Sequence, residues 1–159
     1  MRKLTFTILV VLLLLSATGC SKYKDGGLSD VETNTFEGVT MEIDESTVTP
    51  VSLKASVINE LEEYEVESGN EYVLSLEKLE DDGWHKLVLK DDLVTTSEAY
   101  GFGKGKTAME CVWDSTYGPL PEGHYRVIKV CWTYESDGEG SGSIGEDFYL
   151  SGEFDIDEK

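Results

Sequence analysis

From Val39 onward, apolar and polar residues alternate with a period of two rather than 3.6. Val51, Leu53, Ala55 and Val57 are interleaved with Ser52, Lys54 and Ser56. Tyr72, Leu74 and Leu76 alternate with Val73, Ser75 and Glu77. The clearest run closes the chain, where Phe148, Leu150, Gly152, Phe154 and Ile156 alternate with Tyr149, Ser151, Glu153 and Asp155. Such a run has one face in the core and an acidic face in water. The pattern predicts strands near 39–44, 51–58, 63–67, 72–79, 84–90, 107–114, 124–134 and 147–156. Acid-rich residues 58–67 would also allow a turn or two of helix.

Turn chemistry separates these strands. Thr49-Pro50 precedes the Val51 strand, because proline cannot sit inside a ladder. Asp82-Gly83 marks a tight hairpin with positive φ at its centre. Gly101, Gly103 and Gly105 punctuate a connection, and residues 135–147 form a long loop of glycine, serine and acids. Short strands with turns about every ten residues predict an all-β antiparallel sandwich of seven to eight strands.

The first 37 residues follow a different pattern. Arg2 and Lys3 precede an apolar run, Leu4 to Leu15, and then Ser16-Ala17-Thr18-Gly19-Cys20. This is the layout of an export signal, and the run is short for a membrane span of about 20 residues. Ala17-Thr18-Gly19-Cys20 resembles a bacterial lipobox, which implies that Cys20 becomes the lipidated first residue of the mature protein. The expected organisation is a signal peptide over 1–19, a flexible tether over 20–37 and a folded domain over 38–159. The protein is then expected to be lipid-anchored on the extracytoplasmic face of the cell membrane, in a setting that permits disulfides.

Residues 120–125, Leu120-Pro121-Glu122-Gly123-His124-Tyr125, make a corner that leads into a strand. It resembles the tyrosine corner of immunoglobulin-like sandwiches, with Leu120, Gly123 and Tyr125 as its marks. With Leu76-Glu77-Lys78-Leu79, Asp82-Gly83-Trp84, Tyr117-Gly118, Tyr149 and Phe154, the pattern is similar to bacterial Ig-like domains of Gram-positive lipoproteins and surface proteins. The resemblance covers most of 38–157. It implies an immunoglobulin-like fold and a surface location, and it implies no reaction. In antibody domains a cysteine stands two residues beyond the corner tyrosine, but here that residue is Val127.

Two other cysteines, Cys111 and Cys131, lie at equal distances from Pro121 and share the parity of core positions. That symmetry predicts a Cys111–Cys131 disulfide, worth roughly 3 kcal/mol for a loop of about 20 residues. The alternative is two buried thiols packed as small apolar side chains.

Composition narrows the function. The chain has 159 residues, with 32 acidic and 13 basic side chains and a formal charge of -19. Removing the leader, which holds two of those cations and no acid, makes it more acidic still. Nucleic-acid binding is excluded, because it relies on lysine and arginine neutralising phosphates. A hydrophobic content of 40% is too high for a wholly disordered acidic chain. The acids are spread over strands and turns, which suits a solvated domain reaching away from an anionic membrane.

Candidate chemistry is sparse. His85 and His124 read as surface residues, and neither belongs to a metal motif. Gly101-Phe102-Gly103-Lys104-Gly105-Lys106 lacks the spacing of a phosphate loop. Glu80-Asp81-Asp82 and Asp137-Gly138-Glu139 could offer oxygen ligands to calcium, but neither has an EF-hand layout. No cofactor, metal or catalytic residue is expected. The leading expectation is a non-catalytic Ig-like module, either binding a protein or surface ligand or serving as an accessory envelope component. Its contacts are expected at the 135–147 loop, with Trp132 and Tyr134 at the base. The alternative is an Ig-fold protease inhibitor acting through loops 101–106 and 135–147.

Overall fold

The computed structural model describes residues 24–62, 64–70, 74–90, 98–136 and 142–157. The leader, Cys20, Tyr72, Val73 and the Asp137-Gly138-Glu139 segment lie outside the described residues. Among the described residues are ten strands: β1 (Lys24–Leu28), β2 (Val39–Thr49), β3 (Ser52–Asn59), β4 (Glu65–Gly69), β5 (Ser75–Glu80), β6 (Gly83–Val88), β7 (Ala99–Phe102), β8 (Gly105–Val112), β9 (Gly123–Ser136) and β10 (Gly142–Ile156). They form two antiparallel sheets, as the two-residue period predicted. The smaller has the order β2-β3-β8, and the larger runs β1-β6-β5-β9-β4-β7 with β10 also on β9.

Strand β9 organises the larger sheet. One edge pairs with β10 along its length, from Gly123↔Ile156 to Ser136↔Gly142. Its other edge is shared: β5 takes Tyr125 to Ile128, and β4 takes Cys131 to Tyr134. The alternation of β9 and β10 aims Tyr125, Val127, Cys131, Phe148, Leu150, Phe154 and Ile156 inward, and all are buried. Leu53, Ala55 and Val57 of β3 meet them from the other sheet. Each large apolar side chain buried in this way is worth roughly 1.5–3 kcal/mol. At Gly152 the sheets come so close that a Cβ would lie 2.4 Å from Ile43 Cδ1.

The core has two parts. Trp113, Tyr125, Val127, Phe154 and Cys111 fill one, and Val66, Phe102, Phe148, Leu150 and Cys131 fill the other. Lys129, on the inward face of β9, is fully buried between them. Its Nζ donates to the carbonyls of Gly69 and Asn70 at 2.9 and 2.6 Å.

The expected Cys111–Cys131 disulfide is not formed, and both residues are buried free thiols. Equal spacing from Pro121 did not give equal height, because the corner is not split evenly between the strands. Cys111 stands next to the last residue of β8, whereas Cys131 lies well inside β9. They consequently pack in different parts of the core.

The N-terminal segment corrects a second expectation. Residues 24–36 are folded onto the larger sheet rather than forming a tether. Strand β1 pairs with β6, from Lys24↔Val88 to Leu28↔His85. The chain then crosses the outer face of the sheet in strand order. The Ser29 amide donates to Trp84 O on β6 at 2.7 Å, and the Ser29 hydroxyl bonds Glu77 on β5. The Val31 carbonyl accepts from Arg126 on β9, and Thr33 Oγ1 accepts from Ser151 on β10. Asn34 ends the crossing in the left-handed region, with φ 59°. Its side chain accepts from Ser151 N at 2.9 Å and donates to Ser151 O at 3.1 Å. Phe36 then stacks on Phe148, with ring centroids 4.1 Å apart. This strap explains why the outward-facing Glu77, Arg126, Ile128 and Ser151 are buried.

Two further details differ from the sequence reading. β7 is an additional strand, paired with β4. The β5–β6 hairpin turns on Asp81-Asp82, with Glu80 opposite Gly83 and positive φ only at Gly83, 133°.

Candidate functional site

Leu120 and Tyr125 pack in the same part of the core. The Tyr125 hydroxyl donates to Pro121 O at 2.9 Å, closing the turn four residues upstream. Gly123 has φ 154°, a conformation L side chains rarely adopt, and a Cβ there would also crowd Tyr125 Cε2 at 3.2 Å and the mobile end of Lys78. Leu120 is buried, and its amide donates to Pro50 O at 2.8 Å. The Trp113 indole donates to the same carbonyl at 2.8 Å. Residues 113–125 are thereby fixed to the Thr49–Ser52 turn of the opposite sheet, which makes the corner a structural element rather than a contact site.

Trp132 and Tyr134 lie on the outward face of β9, where the strand approaches its hairpin with β10. Glu67 and Asp147 flank Trp132, and Glu65 pairs with Tyr134. The Trp132 indole donates to Glu67 Oε2 at 2.9 Å, so this indole is oriented by a carboxylate. Both aromatics are half-buried. The result is an aromatic surface edged by acids, on antiparallel strands rather than on a loose loop.

The histidines occupy defined carboxylate clamps. His85 places Nδ1 3.1 Å from Asp25 and Nε2 2.7 Å from Asp82. His124 places Nδ1 2.7 Å from Asp155 and Nε2 3.0 Å from Glu153. Hydrogen bonds to Asp82 and then Asp25 raise the His85 pKa, and bonds to Asp155 and then Glu153 raise that of His124. Each ring uses both nitrogens on carboxylates at opposite sides, a geometry suited to an imidazolium rather than a metal ligand. Among the described residues no cluster of three metal-ligating side chains occurs.

The acidic turn at 80–82 is spent in the same way. Glu80 pairs with Lys78 at 2.8 Å, and Asp82 holds His85. The 101–106 segment is mostly strand, since Gly101 and Phe102 close β7 and Gly105 and Lys106 open β8. Only Gly103 and Lys104 connect them, which is too short for an inserting inhibitor loop. A cleft of about 280 Å³ opens between these edge strands, lined by Tyr100, Phe102, Thr107, Ala108 and Met109. The two thiols are unsuited to nucleophilic chemistry at neutral pH. Burial pushes Cys111 up to about 12 and Cys131 up to about 11.

Sequence reading missed the most elaborate polar arrangement, which lies beneath the strap. Arg126 Nε donates to Glu77 Oε2 at 2.7 Å, and the guanidinium sits 4.7 Å from the centre of the Trp84 ring. Opposite charges at outward strand positions were visible, but their burial depends on the aperiodic residues 29–34.

A two-sheet sandwich with a tyrosine corner at the start of β9 defines an immunoglobulin-like domain. The profile of the bacterial Ig-like domain family matches residues 35–150, and the chain belongs to that family. Neither a curated protein nor a solved structure is significantly similar to it. Strand β1 and most of the strap precede the matched residues.

Proposed function

We propose that the protein is an extracytoplasmic lipoprotein, anchored through Cys20, whose Ig-like domain is a non-catalytic binding or accessory envelope module. The leader pattern ending at Cys20 supports the anchor. One observation carries the binding role: the half-buried Trp132 and Tyr134, set among Glu65, Glu67 and Asp147 on paired strands. Aromatic side chains on a stiff frame bury much area at little entropic cost, and the indole held by Glu67 is pre-oriented. Contacts grafted on such a frame, rather than the fold itself, set the ligand.

The test uses the lipid-free chain from Ser21 to Lys159, with a photo-crosslinker near Trp132, on the native cell envelope. A specific crosslinked partner that is lost in the Trp132→Ala/Tyr134→Ala variant, while the fold is retained, supports the role. Equal crosslinking by both chains counts against this surface.

A further inference from the structure

The strap changes where an anchored domain must sit. Only Ser21, Lys22 and Tyr23 separate Cys20 from β1. An extended chain advances at most about 3.6 Å per residue, so the Cα of Lys24 lies within about 14 Å of that of Cys20. A tether running to residue 37 would have allowed the domain to stand well clear of the lipid. With β1 fixed on β6, that freedom is gone.

Resting on the reading of Cys20 as the acylated residue, we propose that the β1–β6 side of the sandwich lies against the bilayer surface. Side-chain chemistry on that side fits an interface. Seven large apolar side chains are exposed among the described residues, and Leu28, Leu79, Val88 and Leu89 are four of them. Strand register puts Leu79, opposite Trp84, and Val88, opposite Lys24, on one face of the sheet and Leu28, opposite His85, on the other, so what they share is the β1–β6 edge. Leu89 follows directly.

Charge on this side differs from that of the chain as a whole. Lys24 and Lys86 stand beside the apolar residues of this edge, and Lys90, whose Nζ donates to Asp114 O, follows Leu89. Some of the acids here are held by cations, Asp30 on Lys86 at 2.6 Å and Asp25 and Asp82 together on His85. Apolar side chains accompanied by lysines suit the headgroup region of an anionic bilayer. The chain's excess negative charge is screened over about 8 Å at physiological salt. Strand β6 lies abreast of Tyr125 to Ile128 through β5, while Tyr134 is further along β9 by roughly 20 Å at strand rise. Contact through β1 and β6 would thus leave the Trp132 surface open to partners.

The test uses the full-length acylated protein, reconstituted in vesicles of phosphatidylcholine and phosphatidylglycerol. Val88→Cys, Leu28→Cys and Tyr100→Cys chains each carry one fluorophore, the native thiols being buried or acylated. Lipids with a headgroup spin label serve as quencher. The proposal expects at least threefold stronger quenching at positions 88 and 28 than at 100. Equal quenching at all three positions would overturn it, as would shielding of 88 and 28 that needs no vesicles and rises with protein concentration, the mark of a second copy. Mass spectrometry of the same sample keeps the two readings apart: a Cys20 without acyl chains refutes the anchor, whereas an acylated Cys20 with equal quenching refutes only the orientation.

Discussion

Arg126 on β9 and Glu77 on β5 form an ion pair, Nε to Oε2 at 2.7 Å, on a sheet face that would be wet if residues 29–34 did not cross it. Side-chain exposure is 10% for Arg126 and 2% for Glu77, so removing one partner strands a buried charge. Glu77→Ala or Arg126→Ala should lower stability by about 3–5 kcal/mol, read by urea unfolding. A Glu77→Gln/Arg126→Met chain should lose clearly less, because neither side then holds an uncompensated charge.

The strap contributes stability directly. A chain starting at residue 38 loses the Ser29, Val31 and Asn34 hydrogen bonds and the Phe36–Phe148 stack. It should unfold at lower urea than a chain starting at Ser21, by on the order of 3 kcal/mol. Asn34→Ala alone should cost about 1–3 kcal/mol, since it leaves the Ser151 amide without its acceptor. Equal midpoints for the long and short chains would show that the strap is energetically idle.

The corner makes a smaller, local prediction. Tyr125→Phe removes the hydrogen bond to Pro121 O and should cost about 1 kcal/mol without changing the fold. Gly123→Ala should cost more, because its φ of 154° is strained for a side chain and the new Cβ crowds the Tyr125 ring.

Much of this frame is legible in the sequence. The alternation in 51–57 and 148–156 locates β3 and β10, and Leu120, Gly123 and Tyr125 locate the corner. Short-range physics governs those features, since a side chain faces the core or a turn needs a particular residue. The strap is illegible for the opposite reason. Residues 24–36 are mostly polar, include Gly26 and Gly27 in β1, and hydrogen-bond to positions more than 45 residues away. β1 is an edge strand with hardly any inward face, so it leaves no period-two trace. The height of Cys131 against Cys111 was likewise hidden, because it depends on where β8 ends and β9 begins. Of the proposed contact surface, Trp132 and Tyr134 were visible, but their acidic neighbours on β4 came only with the register.

The thiols give a direct count. In the chain from Ser21, Cys111 and Cys131 should be unreactive toward a thiol-specific reagent at neutral pH while folded. Denaturant should release two free thiols per chain without a reductant. Fewer than two would indicate a bridge.

The histidine clamps set the pH dependence. Both imidazoles have folded pKa values raised above the usual 6.5 by their carboxylates. Their contribution is full below about pH 6.5 and is lost as pH rises through the folded values. The Gly27 amide and then His85 lower Asp25, and His85 lowers Asp82, so these carboxylates contribute above about pH 4 and fade on further acidification. Urea midpoints should therefore peak between about pH 4 and 6.5 and decline toward pH 8.5. The His85→Ala/His124→Ala chain should show a flatter alkaline limb.

Residues 24–36 are part of the domain, and their crossing buries the Arg126–Glu77 ion pair. Native-state hydrogen exchange on the chain from Ser21 tests this most directly. The amides of Ser29 and Asn34, bonded to Trp84 O and Tyr149 O at 2.7 and 2.8 Å, should be protected along with amides of β6 and β10. Exchange of both amides at the rate of an unstructured peptide, with β6 and β10 still protected, would contradict the account.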